Sequence, residues 1–271
     1  MKYSVLMTVY KEDNPTYFES ALISMINQTK KPDEIVLVKD GPVTRSIQEV
    51  IDKIDTKYPN LILQVPLAEN IGLGLALNEG IKKSKNELLA RMDSDDISLP
   101  TRCEKQVKEF EKNSNLDIIG CPVKEFFGDT TNIVGERNVP LSNNDIYKFA
   151  KTRDPFNHPT VMYKKSKVLE VGGYSDLRKN QDTDLWIKML SNGAFCKNLS
   201  EYLVYFRFDD NTYEKRKNWL NTKLLIKIRW NAFKSGFCTF YDFLIVAIAQ
   251  IGIYILPTSF QKFIYSKILR R

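Results

Sequence analysis

An apolar segment that ends abruptly in acidic residues constrains this chain more than any other feature. Residues 87–92 have the pattern of a β-strand, and Asp93, Ser94, Asp95 and Asp96 follow directly. In open α/β proteins such a strand delivers these side chains to the carboxyl edge of the sheet, where ligands bind. Carboxylates held close together repel one another unless a cation neutralises them. The segment therefore predicts a site for Mg²⁺ or Mn²⁺, hard cations that complete their coordination with substrate phosphates.

Strand and helix patterns alternate through the first hundred residues, which predicts βα units, an α/β fold and a mostly parallel sheet. Asn14-Pro15 marks a helix start, because Asn caps helices well and Pro suits their first turn. The predicted elements here are strands at 3–9, 34–38, 61–65 and 87–92, and helices after Asn14, at 44–57 and within 70–84. Further along, the pattern predicts short strands at 117–127, 161–163 and 201–208, and a helix at 182–191.

Length and composition predict one large domain with an appendage. The 271 residues are 43% hydrophobic and 27% charged, which excludes a wholly disordered chain. We expect a main unit over residues 1–210 and a helical tail over 211–271. The four scattered cysteines form no metal or disulfide pattern, so we interpret them as reduced core thiols of a cytoplasmic protein. The apolar run at residues 5–10 is too short for a signal sequence.

The tail carries the positive charge of the chain. Residues 211–271 contain 11 Lys or Arg and two acidic residues, within a net charge of +7 for the whole chain. Such an excess predicts an anionic partner, either nucleic acid or a membrane surface. The uncharged stretch at 243–260 favours lipid over nucleic acid. Interfacial insertion, a buried or dimer-forming helix and a membrane span all stay open for this stretch.

Asp40 and Asp182 are further candidates for chemistry. Asp40 follows the second predicted strand and either caps its own loop or accepts a hydrogen bond from the imide N–H of a uracil or thymine ring. Asp182 lies in the first turn of a predicted helix, where capping alone could explain it. At the rim of a crevice, the same carboxylate would serve as a general base for a sugar hydroxyl.

Two aromatic side chains nearby complete the candidate set. Trp186 stands one helical turn after Asp182 and either stacks on a sugar ring or packs in the core. His158 is the only histidine of the chain, and we interpret it as structural, as an acceptor contact or as a neighbour of the metal.

Other classes of protein fit the acidic segment less well. An EF-hand would need a further Asp or Asn at Ile97 and a Gly at Ser98. A phosphotransferase of the haloacid-dehalogenase kind would use Asp93 as its nucleophile, but such enzymes carry this motif on their first strand. A non-catalytic scaffold that binds partners through the helical tail is a third hypothesis. The G-x-G at residues 72–74 is weak evidence for dinucleotide binding, because its third glycine is misplaced.

Together these pieces resemble family 2 glycosyltransferases, inverting GT-A enzymes that build bacterial capsule, lipopolysaccharide and exopolysaccharide of the amylovoran type. The resemblance covers residues 3–207. It rests on five ordered motifs: Ser-Val-Leu-Met-Thr-Val-Tyr, Val-Lys-Asp-Gly, Asn-x-Gly-x-x-x-Ala-x-Asn-x-Gly-Ile, Ala-Arg-Met-Asp-Ser-Asp-Asp with Pro100, Arg102 and Gln106 after it, and Gln-Asp-Thr-Asp-Leu-Trp.

The resemblance implies roles for individual residues. It places Asp95 on the metal with Asp93 close by, and makes Asp182 the catalytic base, although Gln181 in place of a more usual Glu leaves Asp184 as an alternative. The implied nucleotide-sugar contacts are Thr8, Val9, Tyr10, Glu12, Asp40, Arg91, Asp93 and Ser94. It also implies a nucleotide half at about residues 1–100 and an acceptor half at 101–210.

The implied reaction moves one sugar from a UDP- or dTDP-sugar to a saccharide on a polyprenyl diphosphate, at the inner face of the cell membrane. Processive relatives carry Gln-x-x-Arg-Trp after the base, whereas Arg229-Trp230 here lacks the Gln. This departure favours the addition of a single sugar.

Overall fold

The computed structural model describes residues 1–208 and 219–255, which contain eleven strands and nine α-helices. The strands are β1 (Tyr3–Val9), β2 (Glu34–Lys39), β3 (Ile62–Pro66), β4 (Leu88–Met92), β5 (Ile97–Ser98), β6 (Leu116–Gly120), β7 (Val123–Phe126), β8 (Ile133–Arg137), β9 (Met162–Lys164), β10 (Phe195–Asn198) and β11 (Val204–Arg207). The helices are α1 (Pro15–Ile26), α2 (Arg45–Lys57), α3 (Leu73–Lys83), α4 (Arg102–Lys112), α5 (Asn143–Ala150), α6 (Lys165–Glu170), α7 (Gln181–Ser191), α8 (Trp219–Lys234) and α9 (Phe240–Ile255).

Seven strands form one sheet in the order β10-β6-β9-β4-β1-β2-β3. The ladders β4–β1, β1–β2 and β2–β3 are parallel, and β9 is antiparallel to both of its neighbours. The predicted α/β fold with a mostly parallel sheet is therefore confirmed. The chain order reverses beside β1, which is flanked by β2 and β4, and in α/β folds a crevice opens at such a point.

The central strands are buried on both faces, so their apolar side chains alternate between two core layers. In β1, for example, Val5 and Met7 face one layer and Leu6 faces the other. Helices α1, α2 and α4 cover the first layer, and α3, α5, α6 and α7 cover the second. Strands of both halves of the main unit take part in this single sheet.

Local sequence signals explain how the first helices sit on the sheet. The Asn14 side chain accepts the backbone N–H groups of Thr16 and Tyr17, so the predicted cap of α1 is confirmed. Helix α3 lies very close to the sheet at Gly80, where an added Cβ would stand 2.8 Å from Val38 Cγ2 and closer still to Leu6. Gly80 therefore serves helix–sheet packing, one of the uses predicted for this motif.

The second half differs from its predicted pattern. The strand predicted at 117–127 is two strands, because the chain leaves the large sheet after Gly120 and re-enters structure as β7 in a second sheet. This second sheet has the order β5-β11-β7-β8 and was not predicted. Its strands have only two to five residues, too few to show a clear alternation in the sequence.

The described part of the tail is a pair of helices packed on the main unit. Ile228, Ala232 and Cys238 of this region form a small core with Ile187 of α7. No helix within residues 1–208 and 219–255 has the length and apolar character needed to cross a membrane. The stretch predicted at 243–260 lies partly in α9 and partly outside the described residues. All four cysteines are free and buried, as predicted.

Candidate functional site

The site lies at the carboxyl edge of the large sheet, where three parallel strands end together. Val9 pairs with Lys39 in the β1–β2 ladder, and Met7 pairs with Met92 in the β1–β4 ladder. Tyr10, Asp40 and Asp93 therefore leave the sheet along one edge, on either side of the point where the strand order reverses. The topology brings together segments that the sequence separates by more than 80 residues.

Asp93 is held by a fully buried arginine two residues earlier. Arg91 has no exposed surface, and its Nη2 donates to Asp93 Oδ1. The Nε and Nη1 atoms of this guanidinium are buried and have no hydrogen-bond partner in the described part of the chain. Arg102 is also fully buried, and it fixes this segment by donating a 2.6 Å hydrogen bond to the Arg91 carbonyl. The charge of Arg91 thus orients Asp93 at the floor of the crevice.

A third carboxylate, which sequence reasoning missed, belongs to the same cluster. Asp13 Oδ2 accepts the backbone N–H of Tyr10 at 3.0 Å, and Asp13 also interacts with the Ser94 hydroxyl. Burial raises the pKa of Asp13 to about 6. The signal available in the sequence was its place three residues beyond Tyr10, in the turn that follows β1.

Asp95 is the most solvent-exposed acid of the loop, whereas Asp93 is partly exposed and Asp96 is buried. Partial desolvation in the crevice, followed by the negative charges of Asp93 and Asp13, raises the pKa of Asp95 to about 6. A protein that holds three carboxylates in this way favours a bound cation. Among residues 1–208 and 219–255, no three His, Cys, Asp or Glu side chains form a ready-made metal cage.

The donor set nevertheless fits a divalent cation that is shared with a substrate diphosphate. Mg²⁺ and Mn²⁺ take carboxylate oxygens, and Mg²⁺ in particular is held by one or two carboxylates plus phosphates and water. Asp95 and Asp93 supply hard oxygen donors of this kind at the crevice, and the buried charge of Arg91 lies behind them.

Asp96 and Arg207 anchor the acidic loop to the second sheet. Asp96 is fully buried, and its Oδ1 accepts the backbone N–H of Arg207 at 2.7 Å. Arg207 Nε donates to the Asp95 carbonyl at 2.9 Å, and its guanidinium lies 3.7 Å from the ring centre of Tyr17. Sequence reasoning missed Arg207, because nothing in its short strand marks contact with a loop 110 residues earlier.

Asp40 ties its own loop to the start of α3. Its two carboxylate oxygens accept the backbone N–H groups of Ile71 and Gly72 at 2.8 and 3.1 Å, and the residue is 6% exposed. The loop-capping alternative is thus present in the structure. Each oxygen keeps a second lone pair, so a contact to a base is compatible with this geometry.

Asp182 and Asp184 have different surroundings. Asp184 accepts a 2.5 Å hydrogen bond from Ser175 Oγ and pairs with Lys188 Nζ at 3.2 Å. Among the described residues, Asp182 has no such partner side chain. Burial, followed by the charge of Asp154, raises the pKa of Asp182 to about 7, and Asp93 contributes in the same direction. The charge of the acidic loop therefore acts on Asp182 as well.

Four other predicted contact residues lie at the end of β1. Thr8 and Tyr10 are partly exposed, and Glu12 is exposed. Val9 is 1% exposed and belongs to the core, and its carbonyl accepts the backbone N–H of Asp40. A nucleotide therefore meets Val9, if at all, through its backbone.

Trp186 and His158 lie below the crevice. The Trp186 side chain is 1% exposed and packs against Phe156 and His158, with ring centres 5.4 and 5.9 Å away. The predicted stacking surface for a sugar is covered, and the core-packing alternative describes Trp186. His158 Nε2 lies 2.9 Å from Tyr174 Oη, and burial lowers the pKa of His158 to about 3. In this arrangement His158 is a neutral, structural histidine rather than a surface contact.

A mostly parallel sheet with an acidic loop after its fourth strand and a carboxylate on a facing helix is the arrangement of a GT-A glycosyltransferase. The chain belongs to glycosyl transferase family 2, whose family model matches residues 4–173. The predicted resemblance and fold class are confirmed, and membership of this family favours the transferase hypothesis over the phosphohydrolase alternative.

Characterised relatives extend along the whole chain. It is 37% identical over 270 residues to a UDP-Gal:alpha-D-GlcNAc-diphosphoundecaprenol beta-1,3-galactosyltransferase of Escherichia coli. This alignment covers 100% of this chain and 97% of that protein. It is 36% identical over 272 residues to the amylovoran biosynthesis glycosyltransferase AmsE of Erwinia amylovora, covering 98% of each.

Solved structures share the fold at low sequence identity. TarS 1–349 of S. aureus in complex with UDP-GlcNAc has a TM-score of 0.66 at 18% identity, covering 98% of this chain and 73% of that one. The mannosyltransferase PcManGT from Pyrobaculum calidifontis in complex with GDP-Man and Mn²⁺ has a TM-score of 0.67 at 14% identity, covering 98% and 75%.

Proposed function

We propose that this transferase moves one sugar from a UDP-sugar to a hydroxyl of a lipid-linked saccharide, with inversion at the anomeric carbon. The observation that supports the proposal is the environment of Asp182 in the first turn of α7, where burial, followed by the charges of Asp154 and Asp93, raises its pKa to about 7. A carboxylate tuned in this way is a stronger base near neutral pH than an ordinary aspartate.

The donor binds across the ends of β1, β2 and β4 in this proposal. Asp40 meets the uracil ring, while Thr8, Tyr10 and Glu12 line the nucleotide with the backbone of Val9. Arg91, Asp93 and Ser94 contact the sugar-diphosphate end. The raised pKa of Asp95 supports its assignment to a divalent ion, because a bound cation relieves the repulsion from Asp93 and Asp13. Mn²⁺ or Mg²⁺ bound there would neutralise the charge that develops on the leaving diphosphate.

Asp182 removes the proton of the acceptor hydroxyl as that oxygen attacks the anomeric carbon. The new bond forms between the acceptor oxygen and this carbon, and the bond from the carbon to the diphosphate oxygen breaks with its electron pair on UDP. Attack from the side opposite to the leaving group converts an α-linked donor into a β-linked product. Asp184 is less suited to this role, because Ser175 and Lys188 already occupy its carboxylate.

The acceptor assignment rests on the relatives and on the tail. The Escherichia coli relative is named for a diphosphoundecaprenol-linked acceptor. Large apolar side chains are exposed on both tail helices: Trp219, Leu220, Trp230, Phe240, Tyr241, Leu244, Ile245, Ile248, Ile251, Tyr254 and Ile255. Exposed Lys223, Lys227 and Lys234 accompany them on α8. Apolar surface beside cationic side chains suits the interface of an anionic membrane.

We therefore place the protein at the inner face of the cell membrane, on its cytoplasmic side, with the tail on the lipid. A homodimer formed through the same helices is the competing use of this surface. A bilayer is favoured because the lysines of a dimer would face those of a second copy, whereas anionic lipid neutralises them.

Calorimetric titration tests the donor half of this proposal. UDP-sugars and dTDP-sugars are added to the full chain with Mn²⁺ or with a chelator, and the same series is run on Asp95→Ala. We expect a UDP-sugar to bind only with the metal and Asp95→Ala to weaken this binding at least tenfold. Asp52→Ala, an exposed acid of α2, is the matched control and should bind normally. Absence of binding to every nucleotide would leave a non-catalytic scaffold as the better hypothesis.

A further inference from the structure

The first helix of the tail contacts the start of α7 as well as the core. Asn221 of α8 accepts a 2.9 Å hydrogen bond from Asn180 Nδ2 through its side-chain oxygen. Asn180 is the residue immediately before α7, and it has a left-handed backbone with φ of 57°. This conformation sets the direction in which α7 and Asp182 leave the preceding loop. The tail thus forms a hydrogen bond with Asn180, the residue that orients the proposed base.

A second residue of α8, Arg229, also contacts the main unit. Arg229 is 2% exposed, and its Nη2 lies 3.6 Å from Asp154 Oδ1. Its Nη1 donates to the carbonyl of Ala150, the last residue of α5. A cation suits this position, because the terminal carbonyls of a helix carry partial negative charge. Arg229 therefore fixes both the end of α5 and the acid that follows it.

Asp154, which pairs with Arg229, acts on Asp182 through its charge. Phe156, two residues after Asp154, packs edge-to-face on Trp186, which lies one turn after Asp182 on α7. The packing holds the loop that carries Asp154 against the first turns of α7. Among the described residues, the charged or titratable groups that act on Asp182 include Asp154 from this loop, Asp93 from the acidic loop and Tyr174 from the turn before α7.

We propose that the tail helix α8 is part of the catalytic apparatus, with Arg229 and Asp154 acting as positioning residues that fix the location and charge environment of Asp182. The proposal rests on the assignment of Asp182 as the base. It differs from membrane attachment, because it gives the tail a role in the transfer step even for an acceptor free in solution.

The physical consequence is a pair of opposite effects on the base. The negative charge of Asp154 disfavours ionisation of Asp182, whereas Arg229 offsets that charge. Removal of the acid should make Asp182 ionise at lower pH, and removal of the arginine should make it ionise at higher pH. A contact that only stabilises the fold would shift both variants in the same way or neither of them.

The test is the pH profile of kcat/KM for the full chain, with a water-soluble short-chain analogue of the lipid-linked acceptor. The acidic limb of this profile is the part where kcat/KM rises as Asp182 ionises. We expect this limb to move to lower pH by about one unit in Asp154→Asn and to higher pH by about one unit in Arg229→Gln. Arg229→Lys keeps the charge and should restore a limb near that of the native chain. Asp52→Asn and Arg45→Gln, two exposed changes on α2, are matched charge controls with no expected shift.

The outcomes separate this inference from the proposed function. Full activity of Asp182→Asn would overturn the assignment of the base itself. An inactive Asp182→Asn together with unshifted limbs in Asp154→Asn and Arg229→Gln would overturn only the role of the tail. If Arg229→Gln does not fold, Asp154→Asn decides alone, because Asp154 is 44% exposed at its side chain and tolerates the change without a buried cavity.

Discussion

Asp182 is the residue on which the proposed chemistry depends most directly. We predict that Asp182→Asn lowers kcat by about 10³-fold, because general-base catalysis contributes on the order of 10²–10⁴. Binding of the UDP-sugar should stay within twofold of the native value, since the proposed donor contacts lie at the ends of β1, β2 and β4. Initial rates and calorimetry measure the two effects separately. Asp184→Asn is the control: it should lower the melting temperature while retaining most of the activity.

Asp182→Asn should also change the stability of the folded protein, by an amount that depends on pH. The folded protein raises the pKa of Asp182 from 3.8 to about 7, so the native state binds more protons than the unfolded state between these values. The free energy of unfolding therefore falls as the pH rises from about 4 to about 7. We predict that Asp182→Asn is more stable than the native chain at pH 8, on the order of 2 kcal/mol, and gains nothing at pH 4. Denaturant melts at the two pH values measure this; equal gains at both would contradict it.

At the residue scale, sequence patterns reached only part of the candidate site. Asp93, Asp95 and Asp182 were accessible because each follows a strand or opens a helix in a recognisable motif. Asp13 and Arg207 were not, because their relation to the acidic loop arises only when β1, β4 and β11 are assembled. Trp186 shows the opposite limit: its helical position was predicted correctly, but the sequence could not tell which face of α7 is covered.

At the scale of elements, the close packing of α3 on the sheet depends on Gly80. We predict that Gly80→Ala destabilises the protein by about 1–3 kcal/mol, because the new methyl group would overlap Leu6 and Val38. Helix α3 would have to move, and with it Ile71 and Gly72, which bind Asp40. We therefore expect weaker UDP-sugar binding as well.

Gly252 in α9 provides the matched comparison for this change. An added Cβ there meets no atom of the described residues within 4 Å, so Gly252→Ala should stabilise the helix by up to about 1 kcal/mol. Thermal melts of the two variants measure the contrast. A neutral Gly80→Ala would show that α3 does not need its close approach to β1 and β2.

Elements could be predicted where their sequence pattern is long and regular. Strands β1 to β4 were within one residue of their predicted bounds, because each is an apolar run bounded by polar turns. The strand predicted at 117–127 was wrong in its continuity, since a buried run gives no sign that the chain changes sheets at Cys121 and Pro122. The second sheet follows from tertiary pairing between β7 and β11, which lie about 80 residues apart.

At the scale of the whole molecule, our proposal assigns the tail to the membrane surface. We predict that the protein binds vesicles of phosphatidylglycerol and that added salt weakens this binding, because lysines and apolar side chains act together. Ile248→Glu should weaken it about tenfold or more, since Ile248 is 68% exposed on α9. Ile133→Glu, at an exposed position of β8, is the control and should bind as the native chain does.

Co-sedimentation with vesicles and light scattering distinguish the two uses of this surface. Binding that Ile248→Glu leaves intact would contradict a lipid role for α9. A concentration-dependent dimer that the same change breaks would assign the surface to a second copy of the chain.

The tail also marks where whole-molecule prediction from sequence ends. Its charge and helical character were evident in the sequence of residues 211–271, of which 219–255 are described. The contacts of Arg229 with Asp154 and of Asn221 with Asn180 were not evident. Each of them joins two segments that are distant in the sequence through one pair of polar side chains. Such pairs carry no periodic signal, although here they connect the tail to the proposed base.

The most direct test of the account is transfer itself. UDP-galactose and other UDP-sugars are incubated with Mn²⁺ and an α-GlcNAc-diphosphate-lipid acceptor, and the anomeric linkage of the product is read by NMR. We predict one β-linked sugar per acceptor and one UDP released per transfer, with no product from an Asp182→Asn protein that still binds the donor. An α-linked product, or equal activity of Asp182→Asn, would contradict the proposed mechanism.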